Sequence, residues 1–381
     1  MKKIYYFSLL FLALFEIANI YFIMPMPGSQ EMNSISIAYT LYSYRWVFRI
    51  IFGALIILGF IKTWDTKRKW VRIITLIPVL AIVFLFNFVM TADKMFLQPA
   101  ELILKNSQEN SVPLDRLIIG ITLNEESKAY PVEFLAYHHQ VYDSIGGKPI
   151  IVTYCSVCRT GRVYEPIVDG KPEKFRLVGM DHFNAMFEDA TTGSWWRQAT
   201  GEASAGELKG KFLPKFESVQ MSLSQWLKLY PNSFIMQEDP ASIKFYDKEA
   251  KFEKGNYEGG LTGTDKKSWE KKSWVVGVQI GTLSKAYDWN KLLADRIIND
   301  EIGEKRIVIA MADDQTSFVV FERPSVEVFT MKNDTLYTCN KKYNFAGINY
   351  SDKTDHLKML NAYQEFWHSW KTFHPNTKTF E

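Results

Sequence analysis

The sequence predicts an α+β protein, mostly β, in which three transmembrane helices precede an internally duplicated, two-lobed extracytoplasmic domain. Three observations carry this reading. Three apolar runs fall before residue 95, the remainder of the chain repeats itself in a constant register, and one Cys-x-x-Cys pair occurs in only one of the repeats.

The apolar runs cover residues 4–24, 42–61 and 71–90. Each is long enough to cross a hydrocarbon core of roughly 30 Å. No small-x-small cleavage site follows the first, so it reads as a span rather than a signal peptide. Lys2 and Lys3 flank the first run, while Lys62, Lys67, Arg68, Lys69 and Arg72 crowd the second connection; the first connection holds only Glu31 and Arg45. Positive charge favours the cytoplasmic side. The N-terminus is therefore expected inside, with residues 95–381 outside, periplasmic or extracellular. The chain would be a multi-pass protein of the cytoplasmic membrane, with the lipid bilayer as one partner. Glu16, Asn19, Arg49 and Asn87 lie in or near the spans, where ionisable groups are functional candidates by default. The structural reading, with Arg49 snorkelling and Glu16 packed in the bundle, is the expectation.

Bulk properties exclude some classes. A net charge of +3 without a basic stripe points away from nucleic acid. Three cysteines in 381 residues exclude a disulfide-dense scaffold.

The repeat organises the rest. Residues 117–121 are echoed by 274–278, and Ser127-Lys128-Ala129-Tyr130 by Ser284-Lys285-Ala286-Tyr287. The register continues through Leu135 and Leu292, Asp143 and Asp300, Gly146 and Gly303, Lys148 and Lys305, to Glu165 and Glu322. A tail signature recurs at a shorter offset, Trp226 with Tyr230-Pro231-Asn232-Ser233 against Trp370 with His374-Pro375-Asn376-Thr377. Common register over such a length indicates duplication. The expected organisation is a transmembrane region (1–94), a linker (95–111), a first lobe (112–240), a connecting loop (241–272) and a second lobe (273–381). β-Branched runs predict strands at 118–123, 150–154, 162–164 and 175–178, with short helices at 131–137 and 223–230.

Residues present in both lobes, Glu165 among them, read as structural. Cys155 corresponds to Ala312, Cys158 to Gln315 and His138 to Asp295. Chemistry is thus expected in the first lobe, with the second a degenerate copy that buttresses it. The stretch after the cysteines is dense in polar and aromatic residues, making Asn184, Asp189, Trp196 and Gln198 candidate cofactor- or ligand-binding residues. The bland alternative is an ordinary hairpin in which Asp189 and Thr192 satisfy turn amides.

The combination of Lys128-Ala129-Tyr130-Pro131, His138, Gly146-Gly147-Lys148-Pro149, Tyr154-Cys155-x-x-Cys158 and Asp189-x-Thr191-x-x-Ser194-x-Trp196-x-Gln198-x-x-Gly201 resembles the family called domain of unknown function 3179, over about residues 112–380. The resemblance implies a membrane or exported protein and a site, not a reaction. The chain departs from the family pattern at His138-His139, where His-Glu is usual, and at Ser156-Val157, where Pro-Leu is usual.

Three chemistries fit the residues. In the first, Cys155 and Cys158 bind a soft metal, copper or zinc, with His138, His139 or His182 as imidazole ligands. In the second, Cys155 and Cys158 are the catalytic pair of a thiol–disulfide oxidoreductase, Cys155 attacking and Cys158 resolving, with Arg159 favouring the thiolate. Either implies a metal-donor or redox protein partner. In the third, no cofactor binds, the pair is a structural disulfide, and Trp195, Trp196 and Arg197 form an aromatic platform for a ligand. Cys339, His356, His368 and His374 read as packing or surface residues.

Overall fold

The computed structural model describes residues 2–64, 69–246, 252–257 and 260–380. Lys67 and Arg68 of the basic connection, and parts of the expected 241–272 loop, lie outside the described residues. The chain divides into two compact units. The first comprises Met1–Leu97, Glu173–Arg197 and Glu202–Phe212; the second comprises Gln98–Pro172, Gln198–Gly201 and Leu213–Glu381. The protein is mixed α and β, helices dominating the first unit and strands the second.

In the first unit, Lys2–Tyr21 is a 20-residue helix and Lys69–Val89 a 21-residue helix. Both are long and apolar enough to cross a membrane. The expected middle span is not one straight helix. Ile35–Ser43 and Arg45–Lys62 meet at a 57° bend and qualify only as a pair. Arg45, Arg49 and Lys62 also place three cations in the 18 residues of the longer piece. The bend falls where Tyr44 leaves helical geometry, at φ −93° and ψ 11°.

Arg49 points inward rather than snorkelling. Its Nε and Nη2 donate to the two carboxylate oxygens of Glu16 at 2.7 and 2.9 Å, and Asn87 Nδ2 donates to Glu16 Oε2 at 2.9 Å. One polar residue from each long apolar segment thus completes a bidentate pair, which offsets the desolvation of both charges.

The same unit contains a four-stranded antiparallel sheet in the order Ala203–Ala205, Trp195–Arg197, Asn184–Asp189, Phe175–Asp181. Val178, Met186, Trp195 and Ala205 pack with Ile20, Ile23, Met24 and Ala38, joined by Tyr39, Tyr42 and Phe86. The end of the first apolar segment, the start of the second and the end of the third therefore meet one sheet.

The second unit holds two strand systems of like pairing. Leu117–Leu123 and Glu126–Pro131 form an antiparallel hairpin, and Phe234–Met236 joins the second strand in parallel. Helix Val132–His138 follows, then the antiparallel strands Gln140–Ile145, Lys148–Cys155 and Thr160–Tyr164. Further along, Trp274–Ile280 and Leu283–Asp288 pair antiparallel, with Lys378–Thr379 parallel to the latter. Helix Trp289–Asp295 follows, then Ile297–Ile302, Lys305–Met311 and Phe318–Glu322. Both helices stop on a left-handed residue, His139 (φ 63°) and Arg296 (φ 65°), whose N–H closes the last turn. In each system an indole lies on a strand glycine. A Cβ on Gly120 would stand 2.3 Å from the Trp226 ring, and one on Gly277 would stand 2.1 Å from Trp370.

Candidate functional site

The thiol pair occupies a β-hairpin turn in the second unit. Cys155 ends its strand opposite Thr160, which starts the next, leaving residues 156–159 as the turn. Arg159 closes it in the left-handed region at φ 55°, its N–H donating to the Ser156 carbonyl at 3.3 Å. A non-glycine residue in that region is held by its surroundings. Here the guanidinium donates to Gln364 Oε1 and to the Phe252 and Glu253 carbonyls at 3.0, 3.1 and 2.7 Å, and lies 3.7 Å over the Trp274 ring.

Both cysteines are reduced thiols, and neither is exposed. Their side chains are hydrogen-bonded to one another. Burial pushes the Cys158 thiol well above its ordinary value, the Cys155 sulfur and the Glu365 charge add to this, and contact with the Ser369 hydroxyl opposes it. Ser369 Oγ donates to Glu365 Oε2 at 2.8 Å, and Thr160 Oγ1 donates to the same oxygen at 3.2 Å. Glu365 Oε1 receives Arg162 Nη2 at 2.6 Å, with both side chains almost wholly buried. A path of hydrogen-bonding groups therefore runs from the Cys158 sulfur through Ser369 to a carboxylate. His368, stacked on Phe366, hydrogen-bonds the Val157 backbone within the turn.

The other predicted residues are dispersed. Gln198 lies beside the hairpin, its Nε2 donating to Thr153 Oγ1 at 3.0 Å and to the Thr160 carbonyl at 2.9 Å. His138 Nε2 meets the Tyr246 hydroxyl at 2.7 Å, and His139 Nδ1 the Tyr137 carbonyl at 3.0 Å. His182, Asn184, Asp189 and Trp196 belong to the first unit. There His182 contacts Asp181 at 2.7 Å and Asn33 at 3.1 Å. Asn184 and Trp196 are buried strand residues. Asp189 accepts from the Thr192, Gly193 and Ser194 amides and from Trp196 Nε1. Among the described residues no group of three or more His, Cys, Asp and Glu is placed to hold a metal ion. Sequence reasoning missed Ser369, Glu365 and His368. The available signal was Arg162, a cation inside a buried strand, which demands a distant carboxylate.

The chain belongs to the DUF3179 family, described as a protein of unknown function, whose profile matches residues 101–377. No curated protein and no solved structure matches the chain.

Titration of this unit has a defined sign. Burial lowers His139, His368 and His374 each to about 4 from 6.5, so the folded form binds fewer protons than the unfolded chain between those values. Stability from these groups rises with pH there. Burial, then the nearby Glu133 charge, raises Glu253 from 4.5 to about 8, so its contribution falls as pH climbs through that window. Three imidazoles outweigh one carboxyl below 6.5, Glu253 dominates from there to about 8, and above 8 Lys215, lowered to about 8 by desolvation, acts in the opposite sense. Below pH 8, the expected melting midpoint of the full chain in detergent peaks near pH 6.5. Glu253→Gln should flatten the slope between pH 6.5 and 8; an unchanged slope there would disprove the assignment.

Proposed function

We propose that this is a multi-pass membrane protein whose outward-facing, duplicated second unit carries a dithiol–disulfide redox pair. The carrying observation is the mutual hydrogen bond between the Cys155 and Cys158 side chains, beside a hydroxyl and a buried carboxylate. Closing the pair forms one S–S bond and releases two electrons and two protons. In exchange with a partner protein's disulfide, that bond is reduced to two thiols as this one forms. Cys155 attacks while burial keeps the Cys158 proton in place, and the Ser369–Glu365 path takes that proton when Cys158 resolves the mixed disulfide. Zinc fits poorly, since two sulfurs fall short of four protein ligands. A cuprous ion needs only soft thiolates and is the second reading, favoured by the contact between the sulfurs.

The membrane reading rests on the apolar helices and on the one sheet that meets an end of all three segments. With the N-terminus and the Lys62–Arg72 connection in the cytoplasm, that sheet and the second unit lie outside. The matching strand pairings of the second unit support descent from one duplicated half.

One thiol-trapping experiment tests this reading. In intact spheroplasts a membrane-impermeant maleimide should label exposed Cys339. On the purified chain, graded dithiothreitol buffers should interconvert Cys155 and Cys158 in a single two-electron transition, abolished by Cys155→Ser. A pair that never oxidises overturns the redox reading. Retention of about one cuprous equivalent, lost in Cys155→Ser but not in Cys339→Ser, would assign the pair to copper.

A further inference from the structure

The first unit encloses a cavity of about 360 Å³, within the usual size range of small-molecule sites. It lies where the ends of the apolar segments approach the sheet. Every charged residue lining it is an arginine: Arg45, Arg49 and Arg176. The acidic partners of two of them, Glu16 for Arg49 and both Glu188 and Asp93 for Arg176, are not part of the lining. Arg45 has no carboxylate within ion-pair distance among the described residues. Its Nη1 donates to the Tyr42 carbonyl at 2.5 Å, and its guanidinium lies 3.8 Å over the Tyr42 ring. Asn19, Tyr42, Asn87 and Thr91 add neutral polar groups, and most of the remaining wall is apolar, including Ile20, Met24, Val83 and Phe86. Trp46 and Phe88 line it and are largely exposed, as aromatic residues at a membrane–water boundary are. A π-helical turn, Leu85–Val89, brings Asn87 and Phe88 onto this wall; such turns are frequent at functional sites.

We infer that this cavity binds an anionic phospholipid, its phosphate on Arg45 and its proximal chains against the apolar wall. Arginines beside apolar side chains in one cavity match an amphiphile, and its place at the helix ends matches a headgroup. The assignment rests on the membrane reading above, which is checked separately by resistance of the chain to carbonate extraction.

The test is native mass spectrometry of the full chain, delipidated in detergent and titrated with phosphatidylglycerol or phosphatidylcholine. Phosphatidylglycerol should be retained preferentially. Arg45→Gln should weaken that retention roughly tenfold, the loss of one charge-assisted contact. Val83→Trp, which fills the cavity while keeping every charge, should also weaken it. Equal retention of the two lipids overturns the proposal, as does unchanged phosphatidylglycerol binding in both variants. Displacement of the lipid by soluble glycerol phosphate overturns it too, since the chains would then contribute nothing.

Discussion

Glu365→Ala is expected to destabilise the second unit by about 3–5 kcal/mol, the range for breaking a buried ion pair from one side. Glu365 and Arg162 are 1% and 2% exposed, so no water replaces the lost partner. Arg162 is held in place by the Ala199 and Gly161 carbonyls and lies 3.5 Å over the Tyr363 ring. Without the carboxylate its charge stays buried and uncompensated. Thr160 and Ser369 lose their acceptor as well, so the surroundings of Cys158 loosen. Glu365→Gln, which keeps the shape and an acceptor, should cost less. The double variant Arg162→Met with Glu365→Leu should recover most of the loss, because it removes both charges. Urea unfolding of the full chain measures all three, and a Glu365→Ala midpoint equal to the parent's would contradict the buried pair.

The second large effect is steric. Gly277→Ala and Gly120→Ala each drive a methyl group into an indole, and overpacking of this kind costs about 1–3 kcal/mol. The upper end is expected because neither ring swings away easily. Trp370 Nε1 donates to Thr377 Oγ1 at 2.8 Å, and Trp226 Nε1 to Ser233 Oγ at 2.7 Å. Neither glycine has a left-handed backbone, so the penalty comes from space alone. Melting curves of the two variants should both shift downward; two unshifted curves would show that the rings are mobile.

What the sequence made legible is local. The first and third apolar runs are compositional, and both emerge as long helices. The Cys-x-x-Cys spacing placed two sulfurs together, and the β-branched run before it is the strand Lys148–Cys155. Arg45 and Arg49 were visible, but their effect on the middle helix depended on the bend at Tyr44 and on Glu16, which belongs to another helix. The imidazole of His138 is turned to Tyr246, a contact set by how the chain returns after 108 positions. Arg162 and Glu365 stand 203 positions apart, so no periodicity links them. Asp189 followed local rules that Thr192 and Ser194 announced: a short acidic side chain before small hydroxyl residues satisfies turn amides. The alternative reading of this stretch as an ordinary hairpin rests on that turn chemistry, and Asp189 follows it.

The cation above Trp274 couples an indole to the thiol turn. Arg159 is joined by one peptide bond to Cys158, so any repositioning of that sulfur acts on the backbone holding the guanidinium against the indole. Under the redox reading proposed above, the Trp274 share of the emission, isolated from the other ten tryptophans by comparison with Trp274→Phe, is expected to change when the pair oxidises.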